Sequence, residues 1–373
     1  MSGLSKRVRA ALKKTPLRRL KRAFDERFKR PNITEAWLPP LRQGLSRTLL
    51  ICVEAGYDQS VKNAGYFMPL SFALGWNEVA GGAKIIFAKD LLREIECYPG
   101  ASIFVSQQSF RHFSEREARS LRGKDLFVWV HVHPRSVPRF ERENPLIPKE
   151  DSETYQEAYS NLVAAEPKFV WNAIGKAGME WYEGWRRDGF HWESIFPGAN
   201  TSLYFPEPAD RFRNINMAYV GGYWEEKAQA FTSYLRPWED LLVPYGYGQW
   251  PYKNYAGGLD EVEERQLYSS AGLIPLVTGP AGWKIAEITE RYLKAPACKA
   301  FCIADENPAL REIFREDEML QAQSSDHFHQ LVNDWLQGKI DVDRWKEAGY
   351  RAVLDRHLVK HRALQIVQAL DRQ

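Results

Sequence analysis

The chain has 373 residues, of which 44% are hydrophobic and 27% are charged, and its formal net charge at pH 7 is +3. A chain of this length exceeds what one hydrophobic core usually fills, so we expect two domains. The composition is that of a soluble globular protein, and no apolar run approaches the roughly 18 residues that a membrane-spanning helix requires.

The first 30 residues are strongly basic. Twelve of the 51 Lys and Arg residues lie there, but only Asp25 and Glu26 of the 48 acidic residues, so residues 1–30 carry +10 and the remaining chain −7. Apolar residues recur among them at helical spacing, and Pro16 interrupts the pattern. We predict an amphipathic arm over residues 1–35 that meets an anionic membrane surface, where each basic residue adds about 1 kcal/mol. A solvated arm and a nucleic-acid contact are the alternatives.

Apolar runs in the first half alternate with helical patterns. Residues 48–54 are apolar almost throughout, which is typical of a buried parallel strand. Further strands are predicted at residues 84–87, 102–106, 126–131 and 169–172. The alternation predicts an α/β domain with a parallel sheet over residues 36–208. Glu54 and Asp58 lie at and after the end of the first strand, where such sheets bind ligands, and are candidate catalytic bases.

Two histidines, His131 and His133, stand where the strand at residues 126–131 ends. Their spacing could hold a metal ion, but no acidic or histidine partner stands nearby in the sequence, so we predict no metal site. A hydrogen-bonding role at the strand end is one alternative. The other is that His133 faces a cleft and accepts a proton from a substrate, since imidazole titrates near neutrality. His133 is therefore the first candidate for a general base, before Asp58 and Glu54.

A glycine pair opens the second half. Residues 216–223 predict a strand that runs into Gly221 and Gly222, followed by a helix that begins near Lys227. Glycines let backbone N–H groups approach a diphosphate, and a helix N-terminus favours negative charge. Tyr247, in a later glycine-rich turn, could stack on a base or sugar, or simply cover the edge of the sheet.

Residues 289–314 read as a helix, a short buried strand, and a polar loop with Asn307 that opens the next helix. Ligands of open α/β sheets bind beyond the carboxyl ends of the strands, so this loop is a candidate site. Asp341 and Asp343 spell a D-x-D pattern, but they directly precede a helix, where Asp is a common N-cap, so we predict no metal there.

Three patterns in the second half are shared with one enzyme family. They are V-G-G-Y-x-x-x-K from Val220, R-x-L-x-A-x-A-C-x-A-F from Arg291, and A-D-x-N-P-A-L-R from Ala304. These segments resemble the donor site of CgeB-type (spore maturation-like) glycosyltransferases. The resemblance implies an α/β fold of the GT-B class, with two Rossmann-like domains that face each other across a cleft and a C-terminal crossover helix.

That resemblance implies a domain order and an activity. The N-terminal acceptor domain would span residues 36–208, the donor domain residues 209–343, and the crossover helix residues 344–373. The enzyme would transfer a sugar from a nucleotide-sugar donor to a cell-surface glycan or lipid-linked acceptor. Arg291, which matches the family's arginine, would clamp the diphosphate, and together with Lys227 and helix N-termini it would stabilise the departing group, with no metal ion and no cofactor.

Lys294 and Lys299 depart from the family pattern, and Lys299 stands where the family has a glycine after the cysteine. Many GT-B enzymes carry a glutamate where this chain has Lys294, and that glutamate accepts hydrogen bonds from the ribose diol of the donor. An ammonium only donates hydrogen bonds, so Glu287 or Glu290 has taken over, the nucleotide is held differently, or donor binding is lost. The predicted donor-binding residues are Gly221, Gly222, Lys227, Tyr247, Glu287, Thr289, Arg291, Lys294 and Asn307.

Two other functions stay open on these grounds. One is a GT-B-like sugar- or nucleotide-binding protein without turnover, and the other is a membrane-surface interaction protein led by the basic arm. Four cysteines within apolar or mixed segments do not form a disulfide framework, which favours a cytoplasmic protein. The arm adds the expectation of a peripheral association with the inner face of the plasma membrane, and no nucleic-acid partner is expected.

Overall fold

The computed structural model describes residues 37–38, 47–53, 64–130, 132–139, 150–246 and 248–372. The predicted arm, two candidate bases, Glu54 and Asp58, and the candidate stacking residue Tyr247 lie outside these ranges. Within them, no helix combines the length and apolar character needed to cross a membrane.

The first sheet is parallel except at one edge. Among the described residues, seven strands form it in the order β1-β3-β2-β4-β5-β6-β7, and only β1 runs antiparallel to its neighbour. The strands are β1 Trp37–Leu38, β2 Leu49–Val53, β3 Ala83–Phe87, β4 Ser102–Ser106, β5 Asp125–Trp129, β6 Phe169–Asn172 and β7 Trp192–Ser194. The helices are α1 Ala64–Val79, α2 Leu91–Cys97, α3 Glu115–Arg119, α4 Glu150–Ala165 and α5 Glu183–Arg187.

Both faces of this sheet are covered. All five residues of β2 are buried, with Leu50 and Cys52 in the core on one face and Leu49, Ile51 and Val53 in the core on the other. This explains why β2 reads as a continuous apolar run rather than an alternating one. The predicted parallel α/β sheet is confirmed.

The second sheet is also parallel. Within the described part of the chain its strands follow the order β9-β8-β10-β11-β12, because a bridge between Met217 and Leu273 joins β8 to the segment that leads into β10. The strands are β8 Met217–Val220, β9 Leu242–Tyr245, β10 Ile274–Leu276, β11 Cys302–Ala304 and β12 Leu320–Gln321. The helices are α6 Ala228–Ala230, which continues into a π-helical turn, α7 Glu261–Ser270, α8 Pro280–Lys284, α9 Arg291–Ala297 and α10 Ser325–Leu336.

The C-terminal crossover consists of two helices, α11 Val342–Arg356 and α12 Val359–Arg372, and the prediction of a single helix over residues 344–373 is wrong. The chain leaves the helical path because Leu358 forms a parallel bridge with Ala199 in the interdomain linker. The N–H of Ala199 donates to the carbonyl of His357 at 2.8 Å, and that of Val359 donates to Ala199 at 2.9 Å. Beyond this break, α12 packs into the core of the first domain, so the predicted return to that domain is confirmed.

Candidate active site

A cavity of about 350 Å³ lies between the two sheets. Its first wall comes from the N-terminal domain, where Trp129 ends β5 and Asn172 ends β6. Its second wall comes from the turn after β8, from α7, and from residues 287–294. The cavity therefore occupies the position, beyond the carboxyl ends of parallel strands, where α/β folds bind ligands.

Arg291 points at the diglycine turn. Its Nη1 donates to the hydroxyl of Tyr219 at 2.8 Å and to the carbonyl of Val277 at 3.2 Å, and the guanidinium carbon lies 4.4 Å from the centroid of the Tyr219 ring. A Cβ atom on Gly221 would lie 2.5 Å from Nη2 of Arg291, so only glycine leaves room for the guanidinium there. The structure thus brings together the two features that the sequence analysis paired for a diphosphate.

Buried Asp305 holds the segment between β10 and the helix that begins at Arg291. Its Oδ2 accepts hydrogen bonds from the N–H of Thr278 at 2.6 Å and from Nε1 of Trp283 at 2.7 Å, and its Oδ1 accepts one from the hydroxyl of Tyr292 at 2.5 Å. Burial raises the pKa of Asp305 above its usual value, while these donors lower it. One carboxyl group therefore ties the end of β10 to the start of α9.

Lys227 and Glu287 line the cavity beside Arg291. Burial raises the pKa of the Glu287 carboxyl above its usual value, and the positive charge of Lys227 opposes that shift. The carboxylate of Glu287 forms neither a hydrogen bond nor an ion pair with the residues that the structure describes. A partly buried carboxyl group thus faces the cavity next to the cations.

Lys294 is buried and ion-paired. Its Nζ lies 2.9 Å from Oε2 of Glu290, one helical turn earlier, and 4.8 Å from the centroid of the Tyr204 ring. Burial lowers the pKa of Lys294, but the charges of Glu290 and Glu264 outweigh it, so the pKa lies above its usual value. The lysine is therefore a charged part of the cavity wall, and Glu290 neutralises it.

Glu264 is a cavity residue that the sequence patterns do not single out. It lines the cavity from α7, and its two carboxylate oxygens accept hydrogen bonds from the hydroxyls of Tyr204 and Tyr268, each at 2.9 Å. Glu264 and Tyr268 stand four residues apart on one face of a helix, a spacing that can be read from the sequence. Trp224, half exposed at the cavity after the diglycine, was missed as well.

The prediction that His133 faces the cleft is wrong. Its side chain is only 1% exposed, and its Nε2 lies 2.7 Å from Oδ2 of Asp188. Its Nδ1 accepts a hydrogen bond from the N–H of Arg135, and its ring packs edge-on against Trp185. Strand β5 ends at Trp129 rather than at residue 131, so His133 lies in a turn that packs into the first domain.

Asn307 lies outside the cavity lining and serves its own loop. Its Oδ1 caps the following helical turn by accepting from the N–H of Ala309 at 3.0 Å, and its Nδ2 donates to the carbonyl of Glu287 at 2.6 Å. Thr289, by contrast, lines the cavity, and its buried hydroxyl has no hydrogen-bond partner among the described residues.

The D-x-D pattern acts as a helix cap. Oδ1 of Asp341 accepts a hydrogen bond from the N–H of Arg344 at 3.1 Å at the start of α11, as predicted. Within the ranges that the structure covers, no three His, Cys, Asp or Glu side chains are grouped so that they could hold a metal ion.

The chain is similar to known proteins both in part of its sequence and in its fold. Residues 206–368 match a family model described as glycosyl transferase-like. Among curated protein sequences, none matches the chain significantly. Sucrose-phosphate synthase from Thermosynechococcus elongatus superposes with a TM-score of 0.58 at 12% identity, over 88% of this chain and 99% of that one.

Two further solved structures are similar in the same way. Anabaena Alr3699/HepE in complex with UDP gives a TM-score of 0.58 at 10% identity, over 88% of this chain and 100% of that one. A glycosyltransferase from Rickettsia africae gives 0.57 at 11% identity, over 87% and 98% of the two chains. At such low identities the likeness concerns the fold. The predicted GT-B fold, an α/β fold with two Rossmann-like domains, is confirmed.

Proposed function

We propose that this GT-B chain, glycosyl transferase-like over residues 206–368, transfers a sugar from a nucleotide-sugar donor to a cell-surface glycan or lipid-linked acceptor. The motifs shared with CgeB-type enzymes favour that group within the GT-B class. The proposed activity needs no metal ion and no cofactor, so it should survive removal of divalent cations by EDTA.

The position of Arg291 carries this proposal. Its guanidinium faces the interdomain cavity and the glycine turn, and it forms no ion pair with any described residue. A cation without an ion-paired carboxylate favours an anionic ligand, and a planar guanidinium suits the oxygen atoms of a diphosphate. Alr3699/HepE, which shares the fold, was solved with UDP and with UDP-glucose, which supports a nucleotide sugar as the donor.

The other cavity residues have matching roles in this proposal. Gly221 and Gly222 let the diphosphate approach the backbone, and Lys227 adds a second positive charge. Thr289 lines the same wall, and Glu290, which is ion-paired with Lys294, is the carboxylate left for a ribose diol. Charge that develops on the leaving diphosphate is then stabilised by groups that are already in place, which is an effective form of catalysis.

A thermal-shift screen tests donor binding. UDP-, GDP-, dTDP- and CMP-linked sugars are added in turn, and a ligand at about 100 times its Kd stabilises the folded protein by about 2.7 kcal/mol. We expect at least one of them to raise the Tm of the wild type, and the Arg291→Met variant to lose that rise. Arg351→Met, which alters an exposed arginine of α11, is the matched control and should keep it. If no nucleotide sugar shifts the wild type, the proposed donor class is wrong.

A second candidate is a GT-B-like binding protein without turnover, and the buried Lys294–Glu290 pair favours it, because the ammonium stands where the family has a carboxylate. Release of free nucleotide from the best-binding donor separates the two functions. Restoring a glutamate at residue 294 alone would place it against Glu290 and Glu264. The informative variant is therefore the charge swap Glu290→Lys with Lys294→Glu, which should create turnover only if the wild type lacks it.

The acceptor domain, the membrane association and the cytoplasmic location are part of the same proposal. Residues 1–30 would hold the enzyme against an anionic inner membrane surface, where lipid-linked or cell-surface acceptors are glycosylated. Glu54 and Asp58 stay candidates for the base that activates the acceptor hydroxyl.

A further inference from the structure

The first wall of the cavity contributes no titratable side chain within the described residues. It consists of Met68, Trp129, Asn172, Ala173 and Pro197. The amide of Asn172 is already engaged, since its Nδ2 donates to the carbonyl of Val130 and its Oδ1 accepts from the N–H of Ala173. A proton that leaves an acceptor hydroxyl must therefore move to a group on the second wall or on a segment that is not described.

Four carboxyl groups of the described chain line the second wall, and three of them have other roles. Glu264 accepts hydrogen bonds from two tyrosine hydroxyls, and Glu290 is paired with Lys294. Glu261 is the first residue of α7, where its charge complements the positive end of the helix. The carboxylate of Glu287 has no hydrogen-bond or ion-pair partner among the described residues.

The backbone of Glu287 is fixed at the seam between the domains. It forms an antiparallel bridge with Ile174, which lies just beyond β6 in the first domain. Its N–H donates to the carbonyl of Gly282 at 2.9 Å, and its own carbonyl accepts from Nδ2 of Asn307 at 2.6 Å. A side chain held in this way stands where an acceptor on the first domain would meet a donor on the second.

We infer that Glu287 is the general base that accepts the proton of the acceptor hydroxyl. The inference rests on the proposed transfer activity. Burial raises the pKa of the carboxyl toward the range in which a carboxylate is an efficient base, while Lys227 keeps it from rising further. The imidazole of His133, the other candidate within the described residues, is committed to Asp188 inside the first domain.

The step balances without any further reactant. The acceptor O–H proton passes to the Glu287 carboxylate as the acceptor oxygen forms a bond to the anomeric carbon. The bond from that carbon to the donor phosphate breaks, and its electron pair leaves with the nucleoside diphosphate, whose charge Arg291 and Lys227 stabilise. The protonated Glu287 then returns its proton to solvent. A single displacement of this kind inverts the anomeric configuration.

The test compares Glu287→Gln with the wild type, using the nucleotide sugar that gives the largest thermal shift and water as the acceptor, so that no acceptor need be known. Loss of a general base typically costs about 10²- to 10⁴-fold in rate, so we expect kcat for nucleotide release to fall by that factor while the donor KM changes less than about threefold.

The wild-type rate should rise with pH through the Glu287 pKa, and the residual rate of the variant should not. Glu180→Gln, an exposed carboxyl outside the cavity, is the matched control.

The variants Asp58→Asn and Glu54→Gln, measured in parallel, test whether one of the other two carboxylates is the base instead. If either of these loses the rate and the pH dependence while Glu287→Gln keeps both, the assignment is overturned and the transfer activity stands. A Glu287→Gln variant whose donor KM rises with kcat unchanged also overturns it, because the carboxylate then only binds donor. A wild type that releases nucleotide from no donor ends the proposed function and this assignment together.

Discussion

Arg291 and Lys294 stand one helical turn apart and have opposite roles. Neutral groups hold Arg291, namely the hydroxyl and ring of Tyr219 and the carbonyl of Val277. Lys294 is held by the charge of Glu290. A buried ion pair is close to neutral for a ligand, whereas a guanidinium held by dipoles keeps its charge. Of the two, Arg291 is therefore the residue suited to a phosphate.

Gly221→Ala tests this geometry at the smallest scale. The added methyl group would lie 2.5 Å from Nη2 of Arg291, so the guanidinium must turn away from the glycine turn. We expect the affinity for UDP or another nucleoside diphosphate to fall at least about tenfold, which corresponds to about 1.4 kcal/mol. Gly100→Ala, where a methyl group would meet no atom within 4 Å, should leave the affinity unchanged. Titration calorimetry measures both, and equal affinities would separate Arg291 from the ligand.

The sequence predicts the meeting of Arg291 with the glycine pair better than it predicts the position of His133. Arg291 and the glycine pair lie directly beside predicted strands and helices, so the topology alone brings them to one edge of the sheet. His133 was misplaced because an apolar run does not show where the strand ends, and two residues of turn are enough to redirect the imidazole into the core. Glu264 was missed because only the fold brings α7 next to residues 287–294.

At the scale of elements, the break between α11 and α12 fastens the interdomain linker. Arg362 is 5% exposed, and its Nε donates to the carbonyl of Pro197 at 3.1 Å. Its Nη2 lies 2.7 Å from Nδ1 of His357, whose Nε2 donates to the carbonyl of Ile313 at 2.9 Å. Burial lowers the pKa of Arg362 to about 10. The hydrogen bond from Arg362 to His357 requires a neutral imidazole, because Nδ1 of His357 must accept it.

His357→Gln tests that requirement through pH. Burial, together with the charge of Arg362, lowers the pKa of His357 from its ordinary 6.5 to about 3. Below pH 6.5 the unfolded chain binds a proton at His357, whereas the folded protein keeps this imidazole neutral until about pH 3. The folded state is therefore at its most stable with respect to this group above pH 6.5, and its unfolding free energy falls as the pH drops from 6.5 to about 3. The loss approaches about 1.4 kcal/mol per pH unit. Glutamine can donate and accept in the same place without titrating, so its unfolding free energy should fall less steeply.

Denaturant titrations at several pH values between 6.5 and 4.5 measure the two slopes. His112→Gln changes an exposed histidine and should reproduce the wild-type slope. Parallel curves for wild type and His357→Gln would show that His357 titrates alike in both states, contrary to the prediction.

The sequence predicts one crossover helix where the structure has two, and the reason is a tertiary contact. Apolar residues continue at helical spacing across residues 344–370, and neither glycine nor proline stands at the break. The helix ends because the backbone around Leu358 pairs with Ala199 in a distant segment. Such tertiary competition for backbone hydrogen bonds leaves no local signal in the sequence.

At the scale of the whole molecule, two β-bridges between described residues fasten the domains and their linker to one another. One is the pairing of Ala199 with Leu358, and the other is the bridge between Ile174 and Glu287. Near the second bridge, a Cβ atom on Gly178 would lie 2.0 Å from the carbonyl oxygen of Ile285. The backbones of the two domains are therefore too close there for a side chain at residue 178. Because Glu287 belongs to this junction, the chemistry assigned to it depends on the closeness of both domains.

Charge is also divided at this scale, since residues 1–30 carry +10 and the remaining chain −7. An anionic membrane should therefore attract the arm and repel the body. We expect the full chain to co-sediment with phosphatidylserine-containing vesicles at low ionic strength and to dissociate as salt shortens the Debye length to about 8 Å. Deletion of residues 1–30 should abolish co-sedimentation and leave nucleotide release with water as the acceptor unchanged.

A full chain with the same arm residues in shuffled order separates charge from amphipathic pattern, because reduced binding by this variant would show that the helical spacing contributes. Vesicle binding that survives the deletion would place the membrane contact on the body instead.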